Sequence, residues 1–170
     1  NNDSFVEQSE INDKSNENIG VGGGEPYEEA KLQEVISAIS IMDTDIDEIL
    51  KKNINIIVPV KGTITSRYGA REQIFENVNP YHTGIDIANK KNTQIISATD
   101  GKVVKTGKMN KYYGNNVEVE KDGVIFKYAH LETIQVKEND EIKQGDKIGL
   151  MGSTGMSTGP HLHFEIKINN

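Results

Sequence analysis

Two histidines near the end of the chain alternate with apolar residues in a pattern that can support metal chemistry. His161 and His163 fall in the run Gly-Pro-His-Leu-His-Phe-Glu-Ile. Successive side chains of a β-strand point to opposite faces, so both histidines would share one face with Glu165, and Leu162 and Phe164 would be buried on the other. A helix would separate the two histidines. In a strand they stand about 6–7 Å apart, which lets one imidazole bind a metal ion while the other acts beside it.

His82 and Asp86 form a second pair with metal-ligand chemistry. On a straight strand they would share a face but lie about 13 Å apart, too far to reach one ion whose ligand atoms must be within about 2.0–2.2 Å. Gly84 between them permits the bend that would bring them together. Alone, such a pair is usually two surface polar residues. Joined to His161 and His163, it predicts a set of two histidines and one carboxylate, which is typical of a catalytic zinc site.

His130, the last of the four histidines, ends a predicted strand. A single histidine in such a place is commonly a hydrogen-bonded structural residue. Beside the other three, it becomes a natural partner of His161, either next to the metal ligands or as a proton-transfer group. Because the chain has no cysteine, any zinc must be bound by histidine and carboxylate.

The glycine-rich segment 152–159, Gly-Ser-Thr-Gly-Met-Ser-Thr-Gly, precedes the histidine strand. It lacks the Gly-Lys-Ser/Thr ending of a phosphate-binding loop, and no helix is predicted after it. A serine nucleophile is equally poorly supported, since no Ser-His-Asp arrangement is apparent. We therefore expect a tight loop that leads into the strand.

Three regions of different composition must position these residues. Residues 1–25 are acidic and glycine-rich, and they predict a flexible linker. Residues 26–52 predict an amphipathic helix, which either lies on its own domain or forms part of a stalk that binds a protein partner. Its apolar seam is Leu32, Val35, Ile39, Met42, Ile46 and Ile49.

Residues 53–170 predict an all-β domain of antiparallel strands. Asp122-Gly123 is typical of a hairpin turn between two of them. Nine short strands are expected, at 56–60, 63–68, 83–88, 94–98, 102–106, 116–120, 124–128, 147–151 and 162–168.

Charge is distributed unevenly along the chain. Residues 1–52 carry thirteen acidic and four basic side chains, whereas residues 53–170 carry thirteen acidic and fifteen basic ones. The basic patch with interleaved aromatic residues that marks nucleic-acid binders is missing from the sequence, so we expect no nucleic-acid partner. Because the chain begins with Asn1 and has no long apolar run, we expect a piece of a larger protein, with any membrane anchor outside it. Because it stops just after the histidine strand, we expect the C-terminus to be truncated.

Five short motifs together resemble the M23 peptidases, the lysostaphin and LytM-type zinc endopeptidases that cut peptidoglycan cross-links. They appear in the family's order over residues 58–168, and their combination is specific. The motifs are Arg67-Tyr68-Gly69-Ala70-Arg71, His82-Thr83-Gly84-Ile85-Asp86, Tyr128-Ala129-His130-Leu131, Gly152-Ser153-Thr154-Gly155 and Gly159-Pro160-His161-Leu162-His163-Phe164-Glu165.

The resemblance implies roles for the five candidate residues. His82, Asp86 and His163 would bind Zn²⁺, and His130 and His161 would be the catalytic pair. It also implies a mostly β, antiparallel LytM/lysostaphin domain of the duplicated hybrid motif type, with a groove walled by residues 70–81, 108–114 and 152–159.

A function and a location follow from the same resemblance. The chain would be a zinc endopeptidase acting on peptidoglycan stem peptides or cross-bridges. It would be secreted or lie on the outer face of the envelope, in a Gram-positive bacterium. The alternative is a zinc-binding, non-hydrolytic scaffold or partner-binding module, since relatives of this kind serve in sporulation and division complexes.

Overall fold

The computed structural model describes residues 52–70 and 81–168. Within these residues the chain forms eleven β-strands and no helix, so the predicted mostly β class is confirmed. The linker predicted at 1–25 and the helix predicted at 26–52 lie outside the described residues, apart from Lys52. Among the residues described, no helix has the length and apolar character needed to cross a membrane.

The strands are short and separated by turns. Their bounds are β1 Thr63–Ser66, β2 Gly69–Ala70, β3 Tyr81–His82, β4 Ile85–Ala88, β5 Gln94–Ile96, β6 Gly101–Asn110, β7 Gly114–Lys121, β8 Val124–Ile134, β9 Glu141–Ile142, β10 Lys147–Met151 and β11 His161–Ile168.

Nine of these strands form one antiparallel sheet, with β11 near its middle. The order is β1-β4-β11-β8-β7-β6-β9, while β10 pairs with β8 and β5 pairs with β10. β2 and β3 form a separate two-stranded ladder. The strand that carries His161 and His163 therefore has a hydrogen-bonded neighbour on each side, β4 and β8.

The alternation along β11 determines which side chains enter the core. Leu162, Phe164 and Ile166 are fully buried on one face, and Phe164 packs against Tyr128 with ring centroids 5.1 Å apart. Burial of such side chains contributes about 1.5–3 kcal/mol each, so the register of β11 is strongly constrained. The opposite face of β11 carries His161 and every second residue after it along the strand.

One predicted strand is wrong. Residues 56–60 form an irregular segment, in which the Ile57 amide donates to the Ala98 carbonyl and the Ile96 amide donates to the Pro59 carbonyl, each at 2.9 Å. Pro59 has no N–H to donate, so the segment cannot continue as a regular ladder. The other eight predicted strands are present, seven with shifted bounds and the one at 147–151 with the predicted bounds.

The hairpin predicted at Asp122-Gly123 joins β7 to β8. Both residues have positive φ, 51° and 80°, as a two-residue turn of this type requires. The hairpin fixes the register of β8, which carries His130 to the same side of the sheet as the histidines of β11.

Candidate metal centre

Three side chains from three strands converge within hydrogen-bond distance. His82 Nε2 lies 3.0 Å from Asp86 Oδ1 and 2.9 Å from His163 Nδ1, and the last two atoms are 2.9 Å apart. We call His82, Asp86 and His163 the ligand group. All three residues are buried, and they form the one cluster of this kind found among the described residues.

Backbone geometry explains the convergence. Asp86 on β4 stands directly opposite His163 on β11 in the antiparallel ladder, where paired side chains lie close together. His82 reaches the same point because the chain bends at Gly84. A Cβ on Gly84 would lie 2.3 Å from the Phe164 carbonyl oxygen, so only glycine lets the bend pack this closely on β11.

Two acceptors outside the ligand group orient its imidazoles. His82 Nδ1 donates to the Arg67 carbonyl at 2.8 Å, and His163 Nε2 donates to Glu165 Oε1 at 3.0 Å. When both rings are neutral, the other nitrogen of each, Nε2 of His82 and Nδ1 of His163, points a lone pair at the Asp86 carboxylate. Three electron-rich atoms this close together repel one another unless a cation or a proton lies between them. Two imidazoles and a carboxylate arranged in this way fit a divalent metal ion.

The pKa shifts agree with a site that attracts positive charge. Burial acts to raise the pKa of Asp86, but hydrogen bonds from His163 and His82 outweigh it and hold that pKa well below its usual range. Burial acts to lower the pKa of His163, yet its hydrogen bonds to Asp86 and Glu165 raise it to about 9. Both shifts have the sign expected where buried negative charge awaits a cation.

His130 and His161 lie beside the ligand group, with ring centroids 4.7 Å apart, and we call them the histidine pair. His130 Nδ1 donates to the Thr154 carbonyl at 2.7 Å, and His161 Nδ1 donates to the Gly159 carbonyl at 2.8 Å. Each ring consequently has its Nε2 lone pair available, and Nε2 of His161 is 3.6 Å from Asp86 Oδ1.

Burial keeps the histidine pair neutral. It is the main cause that lowers the pKa of His130 to about 3, and the neighbouring His161 and His163 lower it further. Burial also lowers the pKa of His161, against the opposing charge of Asp86. A neutral imidazole with a free Nε2 presents a lone pair that can accept a hydrogen bond or a proton.

The backbone at His130 adopts a left-handed conformation, with φ of 61°. Few residues other than glycine do so, and such outliers cluster at functional sites. The loop 152–159 closes over this position, because the Thr154 hydroxyl donates to the Leu131 carbonyl at 2.8 Å and accepts from the Asn115 amide at 2.9 Å. The Met156 amide also donates to the Tyr112 carbonyl at 3.0 Å, so two of the predicted groove walls touch each other.

The structure thus brings together all five residues singled out in the sequence, and it adds others that the sequence reasoning missed. Glu165 accepts from His163, and Tyr113 and Lys127 contact Glu165 in turn. The period of β11 already placed Glu165 on the histidine face. Tyr113 and Lys127 carried no sequence signal, because only the sheet order β11-β8-β7 brings β8 and the turn before β7 close to Glu165. Residues 71–80, which make up most of the groove wall predicted at 70–81, lie outside the described part of the chain.

Comparison with known proteins gives concordant matches. The family model for peptidase family M23 matches residues 80–170. The murein hydrolase activator NlpD of Escherichia coli is 40% identical over 110 residues, which is 64% of this chain and 27% of NlpD. The peptidoglycan DD-endopeptidase ShyB of Vibrio cholerae is 42% identical over 90 residues, which is 52% of this chain and 21% of ShyB.

A solved structure shares the fold. The crystal structure of a zinc-containing peptidase from Vibrio cholerae superposes with a TM-score of 0.63 and 35% identity, covering 68% of this chain and 37% of that one. This chain spans about a quarter of the length of the curated relatives it matches. These relatives come from Gram-negative bacteria, so the predicted Gram-positive source receives no support from them. The family match covers more than half of the residues, and the chain belongs to peptidase family M23.

Proposed function

We propose that this chain is a zinc-dependent endopeptidase that hydrolyses peptide bonds in peptidoglycan stem peptides or cross-bridges. One observation carries the proposal: two imidazole nitrogens and a carboxylate oxygen meet within 3.0 Å beside two neutral histidines with free Nε2 atoms. Three protein ligands with space for water are the usual composition of a catalytic zinc site. The similarity to the DD-endopeptidase ShyB and to the zinc-containing peptidase of Vibrio cholerae supports the same chemistry.

His82 Nε2, Asp86 Oδ1 and His163 Nδ1 would hold the ion. When bound there, zinc supplies Lewis-acid polarisation of the scissile carbonyl and of a water molecule. The protein's own part is to exclude bulk water, since the ligand group is buried, and to keep the coordinating lone pairs aimed at one point through Arg67 and Glu165.

The histidine pair would handle the protons. Its two Nε2 atoms can each accept a proton from the attacking water, and the resulting imidazolium can stabilise negative charge developing on the carbonyl oxygen. The same proton can then pass to the leaving amine. The carbonyls of Thr154 and Gly159 hold the Nδ1 protons throughout, so proton exchange is confined to the Nε2 side.

The implied partner is peptidoglycan, and the implied location is the cell envelope or its surroundings. The relatives named for murein hydrolase activation and for peptidoglycan endopeptidase activity support this placement. We also propose that residues 26–52 bind a protein partner.

A second function, activation of another murein hydrolase, is favoured by the 40% identity to NlpD. In that case the chain would bind zinc or a partner without cutting bonds. All five chemistry-bearing side chains are present and converge, and we therefore favour the enzyme.

Incubation of the purified chain with isolated sacculi and equimolar zinc tests the choice. An endopeptidase releases soluble muropeptides with new amino termini when it acts alone, and it stops when a chelator removes the metal. An activator releases nothing alone but increases release by an added murein amidase. No release in the first assay together with stimulation in the second would overturn the enzyme proposal.

A further inference from the structure

Glu165 is a fully buried carboxylate in the middle of the sheet. A buried charge is costly unless it is paired and hydrogen-bonded, so its partners indicate why it is there. Oε1 accepts from His163 Nε2 at 3.0 Å and from the Tyr113 hydroxyl at 3.0 Å, and it also contacts the Thr83 hydroxyl. Oε2 faces the ammonium groups of Lys167 at 2.5 Å and of Lys127 at 3.5 Å.

We propose that Glu165 is a positioning residue that selects Nδ1 of His163 as the metal-binding nitrogen. The inference rests on the proposed zinc site. It assigns Glu165 no contact with the ion or the substrate, and it concerns only the tautomer and orientation of the His163 ring.

A neutral imidazole carries a single ring N–H proton, on either Nδ1 or Nε2. An ionised carboxylate can only accept, so at 3.0 Å from Nε2 it keeps the proton on that nitrogen and leaves the Nδ1 lone pair free. Without such an acceptor, the proton can occupy Nδ1 and block coordination. Tyr113 and Thr83 fix the carboxylate from two further directions, so it cannot rotate away from the ring.

Lys127, together with Lys167 on the same carboxylate oxygen, determines how Glu165 meets the ring. The Lys127 ammonium group lies 3.5 Å from Glu165 Oε2, 3.3 Å from Glu118 Oε1 and 4.0 Å from the centre of the Tyr113 ring. The Lys127 ammonium group needs an acceptor on one side of Glu165, and the His163 Nε2–H group needs an acceptor on the other side. A carboxylate satisfies both, whereas an amide has only one oxygen.

Glu165→Gln is therefore the informative substitution. If the glutamine amide oxygen faces Lys127, the amide NH₂ group faces His163 and favours a proton on Nδ1. If the amide is flipped, its oxygen faces His163, and its NH₂ group faces the Lys127 ammonium group, so that two donors oppose each other. Glu118→Gln is the matched control, because Glu118 contacts the same lysine but is not bonded to His163.

Zinc dissociation constants of the full chain, measured by competition with a chromophoric chelator, test the proposal. Glu165→Gln should weaken zinc binding by about 10–100-fold, the usual effect of losing a hydrogen-bond partner of a metal ligand, while Glu118→Gln should stay within about threefold of the wild type. Unchanged affinity in Glu165→Gln, or an equal loss in both variants, would overturn it.

A second measurement covers the case in which Glu165→Gln does not fold. Long-range ¹H–¹⁵N spectra of the zinc-loaded wild-type chain, labelled in histidine, report which nitrogen of His163 carries the proton. A proton on Nε2 supports the inference, and a proton on Nδ1 overturns it. Failure of the wild type to bind zinc would overturn the proposed function itself and this inference with it. Zinc binding by the wild type with an unaffected Glu165→Gln would overturn the inference alone.

Discussion

The ligand group and the histidine pair lie side by side, yet they are positioned by different parts of the molecule. Asp86 and His163 face each other in the central ladder of the sheet, in a register fixed by the fully buried Phe164 and Ile166. The histidine pair instead depends on the loop 152–159, whose Thr154 and Gly159 carbonyls accept from the two Nδ1 atoms.

This difference separates metal binding from proton transfer. A change in the ladder should disturb the ligand group, and with it the affinity for metal. A change in the loop should misplace the histidine pair while the ligand group keeps its geometry. Each group can therefore be altered alone and followed by its own measurement.

The largest effect is expected from His163→Ala, which removes a member of the ligand group. We expect loss of stoichiometric zinc binding. The decrease in zinc affinity should exceed the roughly 10–100-fold decrease caused by removing a hydrogen-bond partner of a metal ligand. Equilibrium dialysis followed by metal analysis gives the zinc content directly. One equivalent of zinc in the folded variant would show that His163 is not a ligand.

Next in size is the effect of His130→Asn on turnover. Asparagine tolerates the left-handed backbone that His130 adopts, so the fold should persist, but an amide cannot transfer protons. Release of muropeptides should fall by about 10²–10⁴-fold while zinc content stays at the wild-type value. His130→Ala should behave similarly, with an added loss of stability. Loss of zinc in His130→Asn would contradict the separation of the two groups.

The sequence predicted most of the ladder and all five converging residues. The alternation through Leu162, Phe164 and Ile166 predicted the buried face of β11, and it is confirmed because a period of two is a local property of the strand. The bend expected at Gly84 is confirmed for a related reason, since the straight-strand separation of His82 and Asp86 was already incompatible with a shared ion.

Sequence patterns did not predict the residues that orient these rings through hydrogen bonds. Tyr113 meets Glu165 only because β7, β8 and β11 are neighbours in the sheet, and no short-range pattern encodes that order. The sequence also did not predict the left-handed backbone of His130, since histidine is not a strong indicator of that conformation. The strand predicted at 56–60 was wrong because its run of β-branched residues favoured a strand, whereas Pro59 has no N–H to donate to a ladder.

A smaller effect is expected from Gly155→Ala in the loop that positions the histidine pair. Gly155 has φ of 75°, and an added Cβ would lie 2.3 Å from the Gly114 amide nitrogen, so backbone must move. The free energy of unfolding should fall by about 1–3 kcal/mol, and turnover should fall as Thr154 moves, with zinc affinity little changed.

Gly145→Ala is the matched control for this prediction. Gly145 has a similar φ of 88°, but nothing lies within 4 Å of the added Cβ. Only the backbone strain of about 1–2 kcal/mol should appear, with turnover at the wild-type value. Urea denaturation and the muropeptide assay together compare the two variants, and equal turnover in both would argue against a positioning role for the loop.

The smallest loss of turnover among the variants that alter contacts of the histidine pair is expected from Thr154→Val, which removes the hydroxyl but keeps the shape of the side chain. The Leu131 carbonyl loses one donor and the Asn115 amide loses its acceptor, which should cost about 1–3 kcal/mol of unfolding free energy. Leu131 keeps a bond at 3.1 Å from the Asn115 side-chain amide. His130 Nδ1 donates to the main-chain carbonyl of Thr154, which valine also has, so turnover should fall by less than tenfold. Thr154→Ser should recover most of the stability in urea titrations. If Thr154→Val reduced turnover as strongly as His130→Asn, the hydroxyl rather than the carbonyl would be positioning the ring.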